Sequence, residues 1–165
     1  MPWVRAAVKS SNIPCSSRMF FFPMINDVTT TPEAPPAYVV LAQTAPNKGR
    51  DMGYPPGNAP VQRLAYPDLA PLSLPEAPEA CFGRAVAAAK AMPRWEVVGE
   101  DAAARRLEAT ATTRLFRWCD DVVVEVRAAA GGCAVHVRSK SRSGRGDFGA
   151  NAKRIRAFLA LLAKT

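Results

Sequence analysis

Apolar positions in the second half of the chain recur with clear periods. Residues 76–92 place Ala77, Cys81, Phe82, Ala85, Val86, Ala89 and Met92 three and four apart, the spacing that lines up one face of a helix. Pro78 fits the first turn of that helix, Glu76 and Glu79 suit its positive end, Lys90 suits the other end, and Pro93 stops it. Four extended runs follow. Residues 95–99 form a short strand, and residues 106–113 set Leu107, Ala109 and Ala111 against Glu108, Thr110 and Thr112. Residues 121–127 put Val122, Val124 and Val126 on one face, with Val123, Glu125 and Arg127 on the other. Residues 133–139 turn Cys133, Val135 and Val137 inward and Ala134, His136 and Arg138 outward. The connection 128–132, ending in Gly131-Gly132, reads as a hairpin loop. Residues 150–164 return to the helical period, with Ile155, Phe158, Leu159 and Leu162 on a stripe flanked by Lys153, Arg154 and Arg156.

The first half is different in texture. Of 15 prolines, 14 fall in the first 78 residues, and residues 27–72 show turn and polyproline signals with no sustained period. The expected fold is therefore α+β: a helix, a four-stranded antiparallel meander and a helix, with both helices on one face of the sheet, preceded by an irregular proline-rich N-terminal arm. Residues 1–24 read as a poorly ordered or vestigial segment, 25–74 as the extended arm and 75–165 as the α+β domain. Within the arm, residues 38–42 are the one short element expected, and Tyr54, Leu64, Tyr66 and Leu69 are the side chains expected to pin it to the domain.

Strand parity places the polar residues. Matching the valines of the last hairpin allows Val126 opposite either Cys133 or Val135, which sets Asp121 opposite Arg138 or Lys140. Either way Asp121 is expected in a structural ion pair. In neither register do Cys119 and Cys133 meet. Asp120 shares the face of Val122 and Val124, as Ser139 and Ser141 share that of Val135 and Val137, so the apolar face ends in an acid and two hydroxyls. A buried acid needs partners, and Arg142, Asn151 and Arg154 are nearest in sequence. The cluster reads as a network fixing the last helix on the sheet, or as a ligand pocket.

Charge sharpens this picture only locally. The net +8 is concentrated in residues 138–156, where Arg138, Lys140, Arg142, Arg145, Lys153, Arg154 and Arg156 face a single acid, Asp147. Such a patch suits nucleic acid, anionic lipid or small anions, and equally a solvated basic face. Four scattered cysteines and one histidine show no metal-ligand spacing, so no metal or other cofactor is expected, and the thiols read as mostly buried or inert. The apolar run at 19–25 has seven residues and contains Pro23, too short for a signal-peptide core or a membrane span.

Two motifs resemble catalytic or cofactor signatures. Gly144-Arg145-Gly146-Asp147-Phe148-Gly149 matches G-x-G-x-x-G between a strand and a helix, but a dinucleotide fingerprint needs a parallel βαβ unit, and here no strand returns before Thr165. What survives is a glycine-rich turn at a helix start, where Arg142, Arg145 and Arg154 would hold an anion, or where the glycines simply permit the turn and Asp147 caps the helix. His136 lies on the outward face and Asp120, Ser139 and Ser141 on the inward one, so no Ser-His-Asp triad assembles and no catalytic residue is assigned. His136 is expected at the surface.

The chain resembles the uncharacterised bacterial and plastid proteins grouped as domain of unknown function 1499. The resemblance is carried by Ile25-Asn26-Asp27-Val28-Thr29-Thr30, Pro35-Pro36-Ala37-Tyr38, Tyr66-Pro67-Asp68, Ala109-Thr110-Ala111-Thr112-Thr113-Arg114-Leu115-Phe116, Asp120-Asp121, and the string Arg138, Ser139, Ser141, Arg142, Gly144, Asp147, Gly149, Asn151, Arg154 and Ile155. It implies no known activity. It does imply a hydrophobic anchoring stretch ahead of the Ile25 segment and a membrane-anchored or periplasmic location. The first 24 residues hold no such stretch, which makes a start upstream of Met1 the accompanying hypothesis.

Three functional expectations follow. The first is a non-enzymatic ligand-binding or interaction module of the cell envelope, working through Asp120, Ser139, Ser141, Arg142, Asp147, Asn151 and Arg154 on a small anionic ligand or a protein partner. The second is an enzyme acting on a small anionic substrate at Asp120, Ser139 and Arg142. The third is a peripheral binder of nucleic acid or anionic membrane through the patch from Arg138 to Arg156.

Overall fold

A computed structural model describes residues 22–164. The expected 1–24 segment lies outside the described residues except for its last three positions, and the hypothesis of an upstream start lies outside them altogether. The elements are β1 (Asp27–Thr29), α1 (Asn58–Ala65), β2 (Leu72–Leu74), α2 (Pro78–Ala91), β3 (Trp95–Asp101), β4 (Arg106–Thr112), β5 (Cys119–Ala129), β6 (Gly132–Ser141) and α3 (Ala150–Leu162), with 3-10 turns at Leu41–Gln43 and Ala45–Asn47. Among the described residues the fold is α+β with three α-helices and one six-stranded antiparallel sheet.

The strands that sequence periodicity predicts are all present. β3 to β6 pair in chain order, and the last hairpin takes the register that sets Val126 opposite Val135 and Asp121 opposite Lys140. The four-strand count is corrected to six, because β1 and β2 both pair with β6, at Val28 opposite Ser139 and Ser73 opposite Ala134. At three residues each, these strands are too short to show a period. The short element expected at 38–42 is regular only at its end, where the 3-10 turn Leu41–Gln43 begins. α1 escaped prediction because it is short, contains Pro60, and turns a polar residue, the buried Gln62, inward as its anchor while its apolar side chains show no inward stripe. That amide donates to Thr29 O at 2.6 Å and accepts from Thr29 N–H at 2.9 Å, tying α1 to β1. Tyr66 and Leu69 are buried, whereas Leu64 stands 87% exposed and pins nothing.

One face of the sheet supplies the main core. Val122, Val124, Val126, Cys133, Val135 and Val137 pack with Cys81, Phe82 and Ala85 of α2 and with Ala152, Ile155, Phe158 and Leu162 of α3. Trp95 stacks on Phe158 at 5.3 Å between ring centroids. This apolar contact between sheet and helices is the chief favourable term in folding.

The opposite face is covered too, by the segment between β1 and α1. Tyr38 and Leu41 pack on Val123. Around them lies a buried layer of ion pairs and hydrogen bonds. The Asp27 carboxylate accepts from Arg138 Nε at 2.9 Å and Nη2 at 2.8 Å, and from Lys140 Nζ at 3.0 Å. The Arg138 guanidinium lies over the Tyr38 and Tyr54 rings. The Glu108 carboxylate accepts the backbone N–H groups of Val39, Val40 and Leu41. Burial under this cover raises the Tyr38 hydroxyl well above its ordinary pKa, and the hydroxyl donates to Asp121 O at 3.0 Å.

His136 is accordingly corrected from surface to interior. Its Nδ1 lies 2.5 Å from Thr31 Oγ1. Burial, reinforced by the Arg127 charge and opposed by Glu125, lowers its pKa to about 4.

Candidate functional site at one end of the sheet

The β4–β5 connection (113–118), the β6–α3 connection (142–149) and the entering chain at 22–26 meet at one end of the sheet. Asp120 pairs with Ser141 there, and Asn26 O accepts the Ser141 N–H at 2.8 Å. The apolar face of β5 and β6 ends at this point, and its terminal polar side chains are roofed by the first turns of α3.

Arg154 donates to Asp120 Oδ2 at 2.5 Å, to Ser139 Oγ at 2.9 Å and to Asn151 Oδ1 at 2.5 Å. Ser139 Oγ donates to Asn151 Oδ1 at 2.7 Å, and Asn151 Nδ2 donates to Ser141 Oγ at 3.0 Å and to Asn26 O at 3.2 Å. Asp147 accepts the N–H groups of Gly149 and Asn151, both at 2.9 Å, which supplies acceptors to the start of α3. The structure thus brings together Asp120, Ser139, Ser141, Asp147, Asn151 and Arg154. Burial raises the Asp120 carboxyl pKa, against the opposing pull of Arg154.

Arg142 does not join them. It lies on the other face, with Arg138 and Lys140, and donates from Nε and Nη2 to Asp121 Oδ1, at 2.9 and 2.7 Å. Asp121 also accepts from Asn47 Nδ2 at 2.9 Å. Asp121 is therefore in an ion pair, though its partners are Arg142 and, at 3.8 Å, Arg50 rather than its cross-strand neighbour Lys140, whose ammonium is on Asp27. The trio Arg142, Arg145 and Arg154 is likewise not gathered around one point, since Arg142 and Arg154 serve carboxylates on opposite faces.

The same geometry disperses the basic run. Arg138 and Lys140 are held by Asp27, Arg142 by Asp121, Arg154 by Asp120 and Arg156 by Asp68. Arg145 and Lys153 remain exposed. Among the described residues no group of His, Cys, Asp and Glu side chains could hold a metal ion.

A cleft of about 320 Å³ opens beside the network. Its floor includes Asp120, Ser141 and Asp147, and its walls are Leu115, Phe116, Trp118 and Phe148, with Lys153 on one side. Phe116 and Trp118 stack on each other at 4.8 Å. A second hollow of about 580 Å³ continues past Phe148 and Trp118 to Phe22 and Met24. These aromatic walls were missed in the sequence. The residues sit in an aperiodic loop, and their only signal was an unusual density of large apolar side chains at a strand connection.

The glycine-rich string acquires a packing reason here. A Cβ on Gly146 would lie 3.2 Å from Met24 Sδ, and one on Gly149, whose φ is 78°, would lie 2.8 Å from the Phe22 ring. These two glycines leave room for the entering chain to lie against the turn.

Sheet, helices and sheet-end cleft define an α+β domain with a two-sided core. The chain belongs to the DUF1499 family, proteins of unknown function, whose pattern matches residues 27–162. No curated protein matches it. Among solved structures it is similar to one titled "Crystal structure of Ara h 8.0201", at 11% identity and a TM-score of 0.40, over 58% of this chain and 95% of that one. Among the described residues no helix is long and apolar enough to cross a membrane.

Proposed function

We propose that this protein is a non-enzymatic binding module that takes a small, largely apolar molecule into the cleft between the 113–118 loop and α3. One observation carries the reading: an open cleft of about 320 Å³ has apolar walls, while the polar side chains at its floor already have partners within the protein. A volume at the low end of the range for small-molecule sites, with apolar lining and a few convergent polar groups, suits a compact ligand with one polar tip. Lys153, at one side of the cleft, is the polar group that would meet that tip. Asp120, Ser139, Asn151 and Arg154 hold α3 at the angle that keeps the cleft open. A location in the cell envelope is supported by the family resemblance of the Ile25 segment.

The test is titration with N-phenyl-1-naphthylamine, a neutral apolar fluorophore. Saturable enhancement that Ala150→Leu abolishes, with the fold intact by circular dichroism, supports the proposal. Absence of saturable enhancement overturns it.

A catalytic reading has one specific observation in its favour: Asp120 lines the cleft with its carboxyl pKa raised. It would act as the acid or base on a substrate in the cleft. Ser139 and Arg142, its expected companions, are occupied by Asn151, Arg154 and Asp121. Turnover of a panel of esters and amides that is lost in Asp120→Asn would favour this reading over simple binding.

A further inference from the structure

The rim of the cleft has a property that binding of a small molecule does not require. Leu115, Phe148 and Met24 are 80%, 73% and 73% exposed, and Phe116 and Trp118 also face solvent. They come from three separate segments that converge at this end, so the apolar surface is continuous across the two adjoining hollows. Contiguous exposed apolar surface of this kind marks an interaction site. Phe148 is held outward by a backbone in the left-handed region, with φ of 51°, a conformation costly for an aromatic residue and more common where function requires it.

The charge around the rim is one-sided. Arg114, Arg117 and Arg145 lie within these loops. The segments 22–26, 113–118 and 142–149 contain one acid, Asp147, and it is buried against the α3 amides. Protruding Leu, Met and Phe side chains with Trp beside them and arginines around them match the bilayer interface, where aromatic rings sit at headgroup level and cations meet anionic lipid. A nucleic-acid strand fits less well. The Phe116 and Trp118 faces are partly spent on each other, and exposed Leu115 and Met24 offer no stacking surface.

We infer that this end of the sheet docks on an anionic lipid surface, with Leu115, Phe116 and Phe148 entering the headgroup region and Arg114, Arg117 and Arg145 facing acidic headgroups. The inference goes beyond cleft binding and stands whether or not the cleft takes a ligand. It also narrows the expected membrane contact: of the run between Arg138 and Arg156, which is mostly paired internally, Arg145 takes part, joined by Arg114 and Arg117 of the 113–118 loop.

The experiment is co-sedimentation of the full chain with phosphatidylcholine vesicles, with and without phosphatidylglycerol, at low and high salt. Partitioning should require phosphatidylglycerol and weaken with salt. Each basic side chain near such a surface adds roughly fivefold, so Arg114→Gln, Arg117→Gln and Arg145→Gln together should lower it by about a hundredfold. Leu115→Ser with Phe116→Ser should reduce it independently, with unchanged circular dichroism. The triple arginine variant should still bind N-phenyl-1-naphthylamine, and Ala150→Leu should still bind vesicles, so failure of one proposal is distinguishable from failure of the other. Equal partitioning onto both vesicle types, none onto either, or full binding by the triple variant would overturn the inference. So would tighter arginine-dependent binding to oligothymidylate than to vesicles.

Discussion

Replacing Asp27 by asparagine removes one negative charge from beneath two buried cations. Asp27 is fully buried, Arg138 is 2% exposed and Lys140 7% exposed, and the carboxylate receives three charge-assisted hydrogen bonds of 2.8 to 3.0 Å. Breaking a buried ion pair from one side costs about 3–5 kcal/mol, because the remaining charge has no solvent to replace its partner. For a chain of this size that corresponds to a fall in Tm of roughly 6–20 °C. Urea denaturation followed by circular dichroism measures the loss. Asp68→Asn is the internal control: Asp68 pairs with Arg156 through the same bidentate geometry, but both side chains are about half exposed, so its loss should stay below about 1 kcal/mol. Adding Arg138→Met to Asp27→Asn removes one stranded charge, and the double variant should be less destabilised than the sum of the singles. An Asp27→Asn loss no larger than that of Asp68→Asn would refute the claim that the second face of the sheet is a closed, low-dielectric layer.

Gly149→Ala forces a Cβ against the Phe22 ring at a left-handed position and should cost about 1–2 kcal/mol; an unchanged thermal melt would contradict the packing reason given for the glycine. His136 has a folded pKa of about 4, below its unfolded value near 6.5, so the unfolded chain takes up the proton first. Its effect on stability is flat above about pH 6.5 and becomes steadily unfavourable as pH falls towards 4. His136→Asn should therefore flatten the stability profile in that window, and a profile as steep as the parent's would show that His136 is not the titrating group. Burial and the neighbouring Cys133 thiol push the Cys81 thiol up to about 12, so iodoacetamide followed by peptide mass mapping should leave Cys81 and Cys133 unmodified in the native protein and label both in urea. Native labelling would mean that the α2 face opens.

Much of the candidate site could be read from parity. Asp120, Ser139 and Ser141 were placed on one face because strand side chains alternate, and Asn151 and Arg154 were named as the partners nearest in sequence. Arg142 was misassigned. It was grouped with Asp120 by nearness in sequence, whereas the alternation that sets Ser139 and Ser141 inward turns Arg142, like Lys140, to the outward face, where it meets the buried Asp121. The aromatic rim could not be read, since loop residues carry no period and their convergence depends on three connections ending together. The second covered face had one sequence signal, the unbroken run Val122-Val123-Val124, because an outward valine in a central strand is typical of a sheet buried on both sides.

The sequence alone determined the regular part of this protein: a helix ended by Pro93, four strands with their inward faces and a final amphipathic helix. Each is set by local period and by where apolar side chains must hide. Tertiary structure decided what the cations do. Read linearly, residues 138–156 are a basic run. In the fold, Arg138, Lys140 and Arg142 share the outward face of β6 while Arg154 and Arg156 ride on α3 over the other face, and the acids that neutralise them come from Asp27, Asp68, Asp120 and Asp121. Ion pairing depends on distance in space and on the loss of solvent around the pair, and neither is encoded in neighbouring sequence positions.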